Sequence, residues 1–217
     1  MKTRATARAT FDSSRVIRTL SLAAVALVTL SLLSTANATI LVYTAFMDGP
    51  SESPPNASPG TGTARVDYDP NNHSMRVRAD FADLIGTTTQ AHIHAPTAVP
   101  LSGTAGVATQ VPSFSGFPLG VTAGSMDTTF DLTLAGSWNP AYVTANGGTA
   151  AGAETALAAA LAAGKSYFNI HSTVEPGGEI RGFFQLIPEP TTVSLASAGV
   201  ATALLLARKR IRKRFSA

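Results

Sequence analysis

Two histidines one residue apart, His92 and His94, are the clearest candidates for chemistry in this chain, within Ala91-His92-Ile93-His94-Ala95-Pro96. Successive side chains of an extended strand alternate faces, so both imidazoles share one face while Ala91 and Ile93 take the other. The same alternation in Tyr167-Phe168-Asn169-Ile170-His171 sets Asn169 and His171 opposite Phe168 and Ile170. In Glu179-Ile180-Arg181-Gly182 it sets Glu179 and Arg181 opposite Ile180. If these strands are neighbours with their apolar residues inward, the polar residues converge on the non-core face. A His-x-His pair with a third imidazole from another strand is sound coordination chemistry for copper or zinc. The alternative is structural: imidazoles bonded to Glu179, Asn169 and nearby backbone, with Arg181 pairing Glu179 to hold strand ends together. His73, in the Asn71-Asn72-His73 turn, is not placed to supply a fourth ligand.

Other chemistries do not assemble. The chain has no cysteine, which removes thiolate ligands, thiol redox chemistry and a cysteine nucleophile. No Gly-x-Ser-x-Gly elbow and no phosphate-cradling glycine loop are present. Asp67, Asp69, Asn71 and Asn72 lack the glycine and distal glutamate of a calcium loop, and Asp-Pro-Asn-Asn is ordinary hairpin-turn chemistry. No catalytic residues are assigned.

The elements that must position the histidines read as short strands. Met75, Val77, Ala79 and Phe81 alternate with Arg76, Arg78 and Asp80, and Phe130, Leu132 and Leu134 alternate with Asp131 and Thr133. Earlier strands are expected over Ile40–Met47 and Thr63–Tyr68, with turns at Asp69–Asn72, Asp83–Gly86 and Pro176–Gly178. One helix interrupts the series: Glu154–Ala163 is nearly all alanine, with Leu157 and Leu161 on one face and Gly164 able to close it. Glu154 would suit its positive N-terminal end. Gly103–Gly124 reads as a long connection, and Trp138 as a core or edge plug. The fold class is all-β: an antiparallel β-sandwich with one short alanine-rich helix.

Ala91-His92-Ile93-His94, Tyr167-Phe168-Asn169-Ile170-His171 and Pro176-Gly177-Gly178-Glu179-Ile180-Arg181-Gly182 together resemble the chordin-type (CHRD) domain. The opening Glu52-Ser53-Pro54-Pro55 and Thr61-Gly62-Thr63-Ala64 fit the same pattern, so the resemblance covers most of residues 40–187. It implies an extracellular or surface β-rich module with no established reaction. Ala95 stands where that family usually has glycine. By analogy, the His-x-His strand is also similar to the copper strand of Cu/Zn superoxide dismutases, although no bridging histidine and no zinc-loop cluster accompany it.

Both ends carry export signals. Lys2, Arg4, Arg8, Arg15 and Arg18 precede an apolar stretch from Leu20 to Leu33, and Ala36 and Ala38 offer the small residues of a signal-peptidase site. Residues 1–38 are therefore expected to be a signal peptide. At the other end Pro188-Glu189-Pro190 precedes an apolar run over 191–207, long enough for a transmembrane helix. Six cations within 208–214 follow it and would stay cytoplasmic. This tail, 188–217, resembles the PEP-CTERM sorting signal, which implies an exosortase as processing partner and an exopolysaccharide-making Gram-negative host.

The domain between the signals, 39–187, keeps five cations against eleven anions, a net charge of −6. The basic balance of the whole chain thus belongs to topology signals and gives no reason to expect nucleic acid. The expectation is an exported, non-enzymatic CHRD-type module, held at the inner membrane by its tail with the domain outside the cytoplasm. After processing it would serve the cell surface or exopolysaccharide matrix, with polysaccharide or surface proteins as partners. The alternative is an envelope copper- or zinc-binding protein using His92, His94 and His171.

Overall fold

Eight antiparallel strands form a single hydrogen-bonded sheet in the computed structural model, which describes residues 40–187. In chain order they are β1 (Leu41–Asp48), β2 (Thr61–Asp69), β3 (Ser74–Ala82), β4 (Thr88–His94), β5 (Gly124–Asp131), β6 (Tyr167–Ser172), β7 (Ile180–Phe183) and β8 (Gln185–Leu186). The sheet order is β4-β6-β7-β1-β2-β3-β5, with the short β8 also pairing β1. The signal peptide, the Ala36/Ala38 cleavage site, Pro188-Glu189-Pro190, the 191–207 span and the 208–214 cluster lie outside the described residues. Among the described residues no helix is long and apolar enough to cross a membrane.

The layered arrangement expected of a sandwich comes from one sheet curled over one core. Alternation drives it: Met75, Val77, Ala79 and Phe81 are buried, while Arg76 and Asp80 between them are exposed. Phe114, from the long connection, packs against Phe130 of β5 at 5.1 Å and Phe168 of β6 at 5.8 Å between ring centroids. It therefore draws the two flanks of the sheet over the same interior. The connection itself runs along the outer edge of β4: Ala108 and Phe114 donate to the carbonyls of Ile93 and Ala91, and Val107 bridges His94. That contact satisfies backbone groups which an edge strand would otherwise leave open.

Three expectations need correction. The fifth strand ends at Asp131 rather than continuing to Leu134, because the chain turns there to let Trp138 Nε1 donate to the Leu132 carbonyl at 2.9 Å. Leu132 stays buried and Leu134 is exposed. Among the described residues two α-helices and a short 3-10 turn (Ala135–Ser137) are present where one helix was expected. The first, α1 (Pro140–Ala145), starts with Asn139 as N-cap and Pro140 at the first position. The second, α2 (Ala150–Ala162), begins a turn earlier than expected, capped by the Thr149 hydroxyl on Gly152 N–H. Its Leu157 and Leu161 are buried, and Gly164 closes it at φ +64°. Glu154 consequently sits inside the helix, where it accepts from Tyr68 Oη and pairs with His73 Nδ1, each at 2.9 Å. It ties the helix to the β2–β3 hairpin rather than serving its N-terminal end.

Candidate metal centre

β4 and β6 are hydrogen-bonded neighbours with His92 opposite Asn169, His94 opposite Tyr167 and Gln90 opposite His171. The alternation that buries Ala91, Ile93, Phe168 and Ile170 in the core places His92, His94, Tyr167, Asn169 and His171 together on the other face. His171 stands diagonally across from His92, within the reach of long side chains on adjacent strands. The three imidazoles form a triangle with centroid separations of 5.7, 5.4 and 5.9 Å. One ring nitrogen from each lies within 4.8 Å of the others. This non-core face is largely closed to solvent: His92 is 2% and His94 9% exposed, with His171 at the half-buried rim. The long connection and the β6–β7 turn enclose this face.

Each imidazole is bonded through one nitrogen to a backbone carbonyl. His92 Nε2 meets Pro112 O at 2.6 Å, His94 Nδ1 meets Ala105 O at 2.9 Å and His171 Nδ1 meets Pro176 O at 2.9 Å. A carbonyl only accepts, so these contacts assign the proton to the bonded nitrogen of each neutral ring. The other three nitrogens, His92 Nδ1, His94 Nε2 and His171 Nε2, keep their lone pairs. All three are buried and without a protein hydrogen-bond partner. Burial pushes the His92 and His94 rings down to about 4, against the carbonyl bonds, and also lowers His171. At neutral pH the cluster presents three uncharged acceptors to one another. Outer carbonyl, fixed tautomer and free inner nitrogen are the arrangement in which a histidine could ligate a metal. With bonds of about 2 Å to a central ion, three such nitrogens need only a small inward adjustment.

Glu179 and Arg181 do not join the cluster as expected, and neither is the other's partner. Glu179, fully buried, accepts from Ser58 Oγ at 2.7 Å, Ile85 N–H at 2.5 Å and Gly86 N–H at 3.1 Å. Burial alone would raise its pKa, but these bonds and one from Ser172 hold it below the usual carboxylate range. The strand pattern fails because β7 starts only at Ile180, which leaves Glu179 free to turn toward the Leu84–Gly86 segment. Arg181 donates to the carbonyls of Ser51 and Gly103 and faces Glu52, with Nε 3.7 Å from Oε2. Its guanidinium lies 5.0 Å from the Tyr167 ring centroid, and that ring stacks on His94 at 4.8 Å. Asn169 donates to Glu52 Oε1 at 2.5 Å, while its Oδ1 is buried and unpartnered.

Glu52 is the site residue the sequence reading passed over. Its one signal was its place in Glu52-Ser53-Pro54-Pro55, 117 positions before the asparagine it meets. Burial raises its carboxyl to about 7, opposed by the Arg181 charge and the Asn169 bond. Gly178 makes room for this packing, since a Cβ there would come within 2.7 Å of both Asn169 and Glu52.

A search of curated proteins and of solved structures returns no match for this chain. The family model of the CHRD domain matches residues 43–184, from β1 to the end of the core, and spans every residue of the cluster. The family suggests an extracellular or secreted module. On that match, over well more than half its length, the chain belongs to the CHRD domain family.

Proposed function

We propose that this domain is an exported metal-binding module that holds one copper or zinc ion through His92, His94 and His171. A single observation carries the reading: three buried ring nitrogens converge with their lone pairs unused, while a backbone carbonyl fixes each opposite nitrogen. Each unpaired buried acceptor costs about 1–3 kcal/mol. A bound cation offsets that cost. The role is binding rather than catalysis, since Glu52 and Glu179, the buried carboxylates near these strands, are engaged by Asn169, Arg181, Ser58 and backbone amides.

Placement of the chain follows from its ends. The N-terminal A-x-A site supports signal-peptidase cleavage after Ala38, and the sequence Pro188-Glu189-Pro190, apolar run and basic cluster supports exosortase sorting. The domain would then face outward from the inner membrane and pass to the cell surface or exopolysaccharide matrix.

Metal analysis of the purified chain after exposure to copper or zinc tests the site. One equivalent should remain after desalting and raise the melting temperature, because an ion bound only by the folded state stabilises it. His92→Ala and His171→Ala should each abolish both effects. Retention of the ion by His92→Ala, or no retention by the native chain, overturns the reading.

A further inference from the structure

Resting on that three-histidine reading, we infer that the ion the site is built for is monovalent copper, Cu(I), rather than a divalent cation. The ligand set is the first reason. All three donors are neutral imidazoles, and no carboxylate belongs to the group within ligand distance. A bound ion therefore keeps its whole charge inside a desolvated pocket. The cost of charging such a pocket grows with the square of the charge, so a divalent ion carries about four times the desolvation cost of a monovalent one. Zinc in a three-histidine site ordinarily relies on a fourth, water-derived ligand. Here the free nitrogens of all three rings are themselves shut away from solvent.

The second reason is the fixed charge beside the site. Arg181 is 5% exposed and bound to the carbonyls of Ser51 and Gly103, so its guanidinium cannot swing away. Steps of 5.0 Å to the Tyr167 ring and 4.8 Å from that ring to His94 bring it within about 10 Å of the cluster. Its field opposes a second positive charge on the metal. At an effective dielectric of about 20, one extra unit charge at that distance is disfavoured by a factor of about ten. Glu52, the other charge facing this pair, offsets part of the effect when ionised.

The third reason is coordination number. Cu(I) is a closed-shell ion stable with three nitrogen donors in a plane, and the cluster supplies three. Cu(II) favours tetragonal geometry with more ligands. Glu52 and Arg181 thus form a charge dial beside the site, each moving the preference in its own direction.

Competition with chromophoric chelators on the purified full chain decides this. Titrate Cu(I) under ascorbate, Zn(II) and Cu(II) in parallel at pH 8, where Glu52 is ionised. Cu(I) should bind more tightly than either divalent ion. Arg181→Gln should narrow the Cu(I)-to-Zn(II) ratio about tenfold and lower the copper potential by about 59 mV, that factor for one electron. Glu52→Gln should move both in the opposite sense, and Arg181→Lys, which keeps the charge, should leave the ratio near native. A merely structural role would push the two glutamine variants the same way. If Arg181→Gln fails to fold, Glu52→Gln alone must widen the ratio. Tighter zinc or Cu(II) binding, or parallel shifts in the two variants, overturns the Cu(I) assignment while leaving the three-histidine site standing. No binding of any of the three ions overturns the site itself.

Discussion

Replacing Glu179 by alanine removes a fully buried carboxylate that joins three segments: the loop before β2 through Ser58, the β3–β4 turn through Ile85 and Gly86, and the start of β7. The two backbone amides lose the acceptor they use once the oxygens are gone. At about 1–3 kcal/mol for each stranded donor, the two amides and the hydroxyl together cost at least about 3 kcal/mol. The small cavity left behind adds to this. That is a large share of the roughly 5–15 kcal/mol by which domains are stable. Urea unfolding followed by Trp138 fluorescence measures it. With a slope of about 2 kcal/mol per molar urea, the midpoint should fall by at least about 1.5 M. Glu179→Gln should recover part of the loss, because its carbonyl accepts one amide while its NH2 faces the other. The native carboxyl is held low in the fold, so its stabilisation is complete above the unfolded value of about 4.3 and disappears as pH falls through the folded one. The glutamine variant should lack that acid-limb loss. A midpoint change below about 0.3 M in the alanine variant would refute the staple, since exposed carboxylate deletions cost that little.

The remaining outcomes concern pH, the helix latch and export. His92 and His94 titrate near 4 in the fold and His171 below its usual value, so the unfolded chain takes up their protons first, from about 6.5 downward. Metal-free stability should therefore fall between pH 6.5 and 4, with Glu52, raised to about 7, opposing three histidines with a single group. A urea midpoint that rises on going from pH 7 to 5 would contradict the buried-neutral assignment. Tyr68→Phe, which removes the hydroxyl bonded to Glu154, should cost about 1–3 kcal/mol, and amide exchange should show the loss first in α2. In a host with an exosortase, intact-mass measurement should find a mature chain beginning at Thr39 and lacking residues 208–214. A periplasm-specific reporter fused after Gln185 should be active, and a cytoplasmic signal from it would reverse the topology.

The strands were legible where one face is wet and the other dry. β2 and β3 show period-two alternation because charged residues mark the solvent side, as with Arg76 and Asp80 around Val77 and Ala79. β5 was misplaced because Gly124-Ser125-Met126-Asp127-Thr128 carries one large apolar residue in five, and Phe130-Asp131-Leu132 mimics alternation across a turn. α1 did carry a signal, an asparagine cap followed by proline, but six residues are too few for a helical period to show. The single curled sheet was not legible, since joining β7 to β1 and spanning β4 to β5 with Phe114 are decisions of long-range packing.

The site was half legible, and the two halves differ in kind. Strand alternation alone brings His92, His94 and His171 to one face, because it depends only on parity and on β4 pairing β6. What makes the cluster chemical comes from elsewhere: the carbonyls of Ala105, Pro112 and Pro176, none of which carries side-chain information. Those three bonds decide which nitrogen of each ring faces inward, and burial decides that the ring arrives uncharged. A structural histidine cluster would use its inner nitrogens on one another or on Asn169, Glu52 and Glu179. Here Glu52 and Glu179 are bound to other donors, and Asn169 Oδ1 is itself without a donor. Three neutral acceptors facing one another cannot satisfy themselves, because none has a proton left to give. A small cation accepting three lone pairs at once would complete the proposed site without moving the strands.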